Sequence, residues 1–111
     1  MLRIACLVLC LAVPAGADCR LALALAVDVS RSIDSQDYVI QTDGLAGALA
    51  DKDVRAAIFG PEGRVALAIY YWSGRGYQDL VQPWVILDSP EALDAAIWEV
   101  RRTPRPEAPL A

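Results

Sequence analysis

Three oxygen-bearing side chains, Asp28, Ser30 and Ser32, occupy every second position of the stretch DVSRS, directly after a nearly all-apolar run. One carboxylate and two hydroxyls are hard ligands of the kind that Mg²⁺ accepts, in octahedral coordination that keeps several waters. They form an incomplete shell, so further oxygens must come from elsewhere. The alternative is structural, because Ser and Asp often satisfy turn amides and cap helices. Spacing alone favours this second interpretation.

The elements around the motif are predicted to form an α/β domain in the order strand, helix, strand, strand, helix. The first strand, residues 20–28, is apolar on both faces, which is typical of a central strand covered by helices on each side. Two more strands are expected over 64–72 and 80–87, and Pro83 places the third at a sheet edge, antiparallel to its predecessor. Ligands bind at the carboxyl ends of strands in open α/β sheets, so the motif lies where a binding site is expected.

Capping residues predict the helices. Asp34 is expected to cap a helix over 35–50, and Asp51 to cap a shorter turn that reaches residue 58. Ser89, followed by proline at the first helical position, caps a second long helix that ends before Thr103-Pro104. The residues expected to face the core from the two long helices are Tyr38, Leu45, Leu49, Leu93, Ala96, Ile97 and Val100.

Residues 1–17 are predicted to be a secretory signal peptide. Arg3 supplies the positive start, residues 4–13 the apolar segment, and Ala15-Gly16-Ala17 the cleavage site. A membrane-spanning helix is the competing interpretation, but the apolar segment is shorter than the roughly 20 residues that a bilayer requires. Cleavage would leave 94 of the 111 residues, beginning at Asp18 and exported to the periplasm or beyond the cell.

Charge and residue content narrow the possible partners. Loss of Arg3 with the signal peptide would change the net charge from −4 to −5, which disfavours nucleic acid and anionic membranes. Cys6 and Cys10 would also be lost, leaving Cys19 alone in a compartment where disulfides form. The chain has no histidine, so no Ser-His-Asp or Cys-His arrangement can be built from it. An enzyme is therefore not expected.

The motif also carries a resemblance. DVSRSID after such a strand is similar to the Asp-x-Ser-x-Ser motif of the metal-ion-dependent adhesion site in von Willebrand factor type A domains. The stretches ALAVDVSRSID, DYVIQTDGLAGAL, RVALAIYYWSG and VQPWVILDSPEALD together resemble exported bacterial von Willebrand A-like proteins of unassigned function, over roughly residues 21–102.

The resemblance implies a partial Rossmann-like three-layer sandwich, of which this chain encodes the N-terminal half. It implies that Asp28, Ser30 and Ser32 hold Mg²⁺ or Mn²⁺, with Asp28 acting directly or through a water. An acidic side chain of a partner protein would complete the metal shell. Binding rather than catalysis is the usual function of that family.

The chain departs from the family after the second long helix. The family's threonine, in a glycine-rich loop, and its aspartate after a fourth strand have no convincing counterpart, because Thr103 abuts the helix and precedes Pro104. We therefore divide the chain into a signal peptide (1–17), the first half of a domain (18–102) and a proline-rich tail (103–111), and expect a truncated product. In the family's strand order, 3-2-1-4-5-6, one long apolar edge of the first strand would stay unpaired and invite aggregation.

Three functions remain open at this point: a secreted binding module with a metal-dependent adhesion-type site, which we favour, an inactive fragment of such a domain, and a metal-dependent hydrolase. Aromatic residues on strands are more often core residues or cross-strand pairs than a ligand platform, and here they are Tyr70, Tyr71, Trp72 and Trp84. Cations near a helix C-terminus are favoured by the helix dipole, and here they are Arg101, Arg102 and Arg105.

Overall fold

A computed structural model describes residues 19–74 and 76–106, which form a mixed α/β domain with one three-stranded sheet and three helices. The elements are β1 (Cys19–Asp28), α1 (Ser35–Ala50), α2 (Lys52–Phe59), β2 (Arg64–Ser73), β3 (Tyr77–Ile86) and α3 (Pro90–Arg102). Every predicted element is present, and the bounds of both long helices are those expected. The predicted signal peptide lies outside the described residues.

The sheet has the order β1-β2-β3. β1 runs parallel to β2, and β2 runs antiparallel to β3, so the predicted pairing of the third strand at an edge is confirmed. The predicted unpaired edge of β1 is also found in the described sheet, because β1 pairs with β2 alone. The prediction that helices cover both faces of β1 is wrong for the described residues, because the alanines at positions 22, 24 and 26 are exposed. The run LALALAV contains no proline or charge of the kind that usually marks an edge strand, so the unpaired edge followed from the implied strand order and not from composition.

The helices begin at the predicted capping residues. The carboxylates of Asp34 and Asp51 each accept a backbone N–H bond of 2.8 Å from the first turn that follows, and the Ser89 hydroxyl accepts one of 3.2 Å. Such bonds satisfy N–H groups that have no partner inside a helix. Arg20 of β1 donates to two carbonyls in the last turn of α2, at 2.7 and 2.8 Å, and so holds that helix end against the strand.

The core lies between one face of the sheet and the helices. Its buried members are Val27, Val29, Tyr38, Ala46, Leu49, Val65, Leu67, Ile69, Tyr71, Val81, Leu87, Leu93, Ala96, Ile97 and Val100. The predicted stripe of α3 is confirmed in full. On α1, Thr42 and Ala46 are buried, whereas Leu45 is only partly buried against the core.

The opposite face of the sheet is largely exposed among the described residues, although Ala66 and Ala68 of the central strand β2 are buried there. The alanines of β1 at positions 22, 24 and 26 are exposed, and Leu80 and Trp84 of β3 are each 57% exposed. The described chain therefore forms two layers, a sheet and one layer of helices. Of the strand aromatics, which were expected to be core residues or cross-strand pairs, Tyr71 lies in the core, whereas Trp72 and Trp84 are exposed, because residue type does not indicate which face the helices cover.

Candidate functional site

The motif lies in the loop of residues 29–34, between β1 and α1. Asp28, the last residue of β1, pairs with Trp72 of β2, and the N–H of Val29 donates to the Trp72 carbonyl at 2.9 Å. The Val29 side chain is fully buried, and Gln41 of α1 donates its Nε2–H to the Asp28 carbonyl at 2.8 Å. The core and two hydrogen bonds therefore fix the start of the loop.

The loop folds into a turn in which the Asp28 carboxylate bonds the Ser30 amide and the two serine hydroxyls meet. Asp28 Oδ1 accepts the N–H of Ser30 at 2.8 Å, and the Ser30 carbonyl accepts the N–H of Ile33 at 3.0 Å. The Ser30 and Ser32 hydroxyl oxygens are 2.9 Å apart. The structural interpretation thus accounts for one carboxylate oxygen, which satisfies a turn amide. It does not account for the hydroxyls, because within the described part of the chain they bond each other and cap no backbone N–H.

The segment after α3 folds back against this loop. The Tyr38 hydroxyl donates to the Thr103 carbonyl at 3.0 Å. Arg105 donates from Nη1 to Ser35 Oγ at 2.9 Å, and from Nη2 to the Ile33 carbonyl. The interpretation of Arg105 as a cation that serves the helix end is therefore wrong, because its guanidinium contacts the motif loop.

The other polar side chains near the end of α3 contact residues of α3 and α1 and not the motif loop. The Thr103 hydroxyl donates to the Glu99 carbonyl at 2.6 Å, so this side chain is engaged with its own helix end. Arg102 pairs with Glu99 and lies over the Trp98 ring, 4.9 Å from its centroid. Arg101 lies 3.9 Å from an Asp43 carboxylate oxygen of α1, as an exposed ion pair. Only Arg105 of the three arginines contacts the loop.

Two tyrosines meet between α1 and the sheet. The rings of Tyr38 and Tyr71 are in edge-to-face contact, with centroids 6.2 Å apart. Tyr71 is fully buried, and its hydroxyl has no hydrogen bond of good geometry among the described residues. Burial raises the pKa of the Tyr71 phenol above its usual value, and the nearby Tyr38 hydroxyl acts in the same direction. A buried polar group without a partner destabilises the fold.

Replacing Tyr71 by phenylalanine is expected to raise the free energy of unfolding by about 1 kcal/mol at pH 7, because it removes an unpaired buried hydroxyl. In the unfolded chain tyrosine ionises near pH 10, whereas the buried phenol keeps its proton to higher pH. The wild-type protein should therefore lose stability as the pH rises above about 10, and the variant should lose less. Urea unfolding at neutral and alkaline pH measures both effects.

The matched control is Tyr38→Phe. This change removes a hydroxyl that donates to the Thr103 carbonyl, so it should lower the free energy of unfolding by about 1 kcal/mol. Equal destabilisation by the two substitutions at pH 7 would show that the Tyr71 hydroxyl has a partner after all.

Comparison with known protein families gives one match. The family described as "Protein of unknown function (DUF1194)" matches residues 18–110, a range that includes the motif loop and every described element. The chain belongs to the DUF1194 family. No curated protein and no solved structure matches the chain. Membership in DUF1194 thus relates the chain to other sequences, and the description of that family names no function.

The surroundings of the loop limit the ligands that the chain itself could supply. Among the described residues, no group of three or more His, Cys, Asp or Glu side chains could hold a metal ion. A cation at the motif would depend on one carboxylate, two hydroxyls, water and a donor from another molecule. In the same part of the chain, no helix combines the length and apolar character needed to cross a membrane. Cys19 is exposed with a free thiol, whereas Cys6 and Cys10 lie outside the described residues.

Sequence reasoning missed two residues that hold the loop. Gln41 lies 13 positions after Asp28, at a half-buried position of a helix that was expected to pack on the sheet. A polar side chain at such a position is a signal that could have been used, because buried amides need partners. Arg105 lies 72 positions after Ile33, and nothing in the local pattern points to their contact.

Proposed function

We propose that this protein is an exported binding module that holds Mg²⁺ or Mn²⁺ at Asp28, Ser30 and Ser32 and presents the ion to an acidic side chain of a partner protein. The separation of 2.9 Å between the two serine hydroxyls carries the proposal. Neighbouring ligands of an octahedral ion with bonds of 2.0 to 2.1 Å lie about 2.9 Å apart. The hydroxyls therefore have the separation of two adjacent positions in such a shell.

The same distance suits an O–H···O hydrogen bond, so the hydroxyls need to turn their protons outward when they bind a cation. Asp28 Oδ1 already holds the Ser30 amide, which leaves the second carboxylate oxygen to act toward the ion or toward a water bound to it. The turn is thus close to the arrangement that the proposal requires.

Charge explains why the partner should be acidic. Asp28 is the only carboxylate in the Asp-x-Ser-x-Ser motif, and the two hydroxyls are neutral. A dication held by these groups would keep a net positive charge and open coordination positions. A carboxylate of a partner would supply both the missing charge and the missing ligand, which supports a binding function at this loop.

The fold supports the resemblance to von Willebrand A domains on which the proposal draws. The order β3-β2-β1, with β1 parallel to β2 and the motif at the carboxyl end of β1, is the order that the resemblance implies for the first half of such a domain. The loop also lies directly before α1, where the resemblance places the first metal-binding motif.

Titration of the purified protein with Mn²⁺, followed by the electron paramagnetic resonance signal of the free ion, tests the cation site. We expect saturable binding of one ion. The double substitution Ser30→Ala with Ser32→Ala should weaken Mn²⁺ binding at least about tenfold. Loss of a residue that only hydrogen-bonds a metal ligand already lowers metal affinity by about that factor. Ser32→Thr is the matched control, because it keeps a hydroxyl and should bind nearly as the wild type does. A folded protein that takes up no Mn²⁺ would refute the site.

The partner is tested separately with two immobilised peptides that differ only in a glutamate or a glutamine. Binding to the glutamate peptide should require Mn²⁺ or Mg²⁺ and should disappear with a chelator, because only a carboxylate can complete the charge and the shell. If the protein takes up Mn²⁺ but binds both peptides equally well, the cation site is supported and the acidic partner is refuted.

A further inference from the structure

We propose that Arg105 is a positioning residue for the cation site, acting through the loop rather than on the ion. The inference rests on the proposed function. The Arg105 guanidinium bonds two points near the end of the loop. Nη1 donates to Ser35 Oγ at 2.9 Å, and Nη2 donates to the Ile33 carbonyl. A planar guanidinium with donors in a fixed fork restrains the relative position of two acceptors, which a single donor cannot do.

The bridged residues flank the part of the loop that carries Ser32. Ile33 uses its N–H to close the turn on the Ser30 carbonyl at 3.0 Å, and its own carbonyl accepts from Arg105. The peptide groups on both sides of Ile33 are therefore held. Arg31 and Ser32 are exposed, whereas the side chain of Ile33 is partly buried and packs against the core. The contacts of Arg105 add a restraint on the backbone after Ser32, and we infer that this restraint keeps the Ser32 hydroxyl near that of Ser30.

The start of the tail brings Arg105 to the loop. The Thr103 carbonyl accepts the Tyr38 hydroxyl at 3.0 Å, and the Thr103 side chain is bonded to the Glu99 carbonyl at 2.6 Å. The first bond attaches the segment after α3 to the first turn of α1, and the second attaches it to the last turn of α3. The geometry of the cation site thereby depends on the packing of α3 against α1, and a shell arranged in advance binds its ion more tightly.

An effect of Arg105 through its charge and an effect through its position would change Mn²⁺ affinity in opposite directions. A guanidinium repels a dication, so if charge alone mattered its removal would strengthen Mn²⁺ binding. If Arg105 positions the loop, its removal weakens binding. Arg105→Lys separates the two effects, because lysine keeps the positive charge and loses the fork.

The experiment compares the wild-type protein with Arg105→Gln, Arg105→Lys and the matched control Arg101→Gln, which removes the same charge from an exposed helix end. Hydrogen exchange of the Ser30 and Ile33 amides is measured without metal, and Mn²⁺ affinity by paramagnetic resonance. In Arg105→Gln we expect both amides to exchange about tenfold faster and Mn²⁺ to bind about tenfold more weakly. Arg105→Lys should fall between wild type and Arg105→Gln, and Arg101→Gln should match the wild type in both measurements.

Each result decides the proposal. Unchanged exchange in Arg105→Gln and Arg105→Lys overturns it, and so does tighter Mn²⁺ binding by Arg105→Gln. If the wild-type protein takes up no Mn²⁺, the proposed function fails, and the exchange rates still show whether Arg105 orders the loop. If Arg105→Gln does not fold, Arg105→Lys, which can keep one of the two bonds, supplies both measurements.

Discussion

Asparagine at position 28 is expected to weaken Mn²⁺ binding at least about a hundredfold, because Asp28 is the only carboxylate of the motif. Asparagine keeps an Oδ1 that can accept the Ser30 amide, so the turn should persist while the charge and the second carboxylate oxygen are lost. The interaction energy between a unit charge and an ion about 4 Å away is several kcal/mol near a protein surface. A loss of about 1.4 kcal/mol in binding free energy lowers the affinity about tenfold. The measurement is the Mn²⁺ titration, with thermal unfolding in the absence of metal as a check on folding.

Asp34→Asn is the matched control for this substitution. It removes the same charge from the same loop, and asparagine caps helices about as well as aspartate, so α1 should keep its start. We expect its Mn²⁺ affinity to stay within about threefold of the wild type, since the Asp34 carboxylate is exposed, is screened by solvent and is engaged with the Asp37 amide. Similar losses in the two variants would mean that Asp28 acts through overall charge and not as a ligand.

The second large effect concerns stability: Leu67→Ala should lower the free energy of unfolding by about 3 to 5 kcal/mol. Leu67 is fully buried on the central strand, where it pairs with Leu23 of β1 and Val85 of β3. The free energy of unfolding of natural domains is only about 5 to 15 kcal/mol, so this substitution should remove much of the stability of the domain. Urea unfolding followed by circular dichroism gives the difference.

Leu80→Ala makes the same chemical change on the open face of the sheet. Leu80 is 57% exposed, so its substitution should lower the free energy of unfolding by less than about 1 kcal/mol. Comparable losses at positions 67 and 80 would show that the face without helices is buried as well, and would contradict the two-layer arrangement of the described residues.

The helices were predictable because their signals act over a few residues. Asp34 and Ser89 cap α1 and α3 at the expected positions, and Pro90 occupies the first position of α3. A cap bonds to amides within its own first turn, so its effect needs no tertiary contact. The buried stripe of α3 was predictable for a related reason, because helical periodicity places its apolar residues on one face.

The layers of the domain were less predictable. The composition of β1 indicated a strand covered by helices on both faces, whereas its alanines are exposed among the described residues, and Trp84 of β3 is exposed as well. Strand composition shows that a face is apolar, but which face the helices cover depends on the path of the chain between strands. That path is set by long-range packing, which a local pattern does not contain.

The sequence by itself determined the residues of the candidate site and the turn that carries them. A carboxylate two positions before an amide can accept from it through local geometry alone, as Asp28 does from Ser30. Only the tertiary structure decided what holds the turn in place. Gln41 and Arg105 reach the loop because α1 packs on the sheet and α3 packs on α1, and Arg105 is 72 positions from its acceptor Ile33. Contacts at such separations follow from the packing of whole elements, and no strand or helix period encodes them.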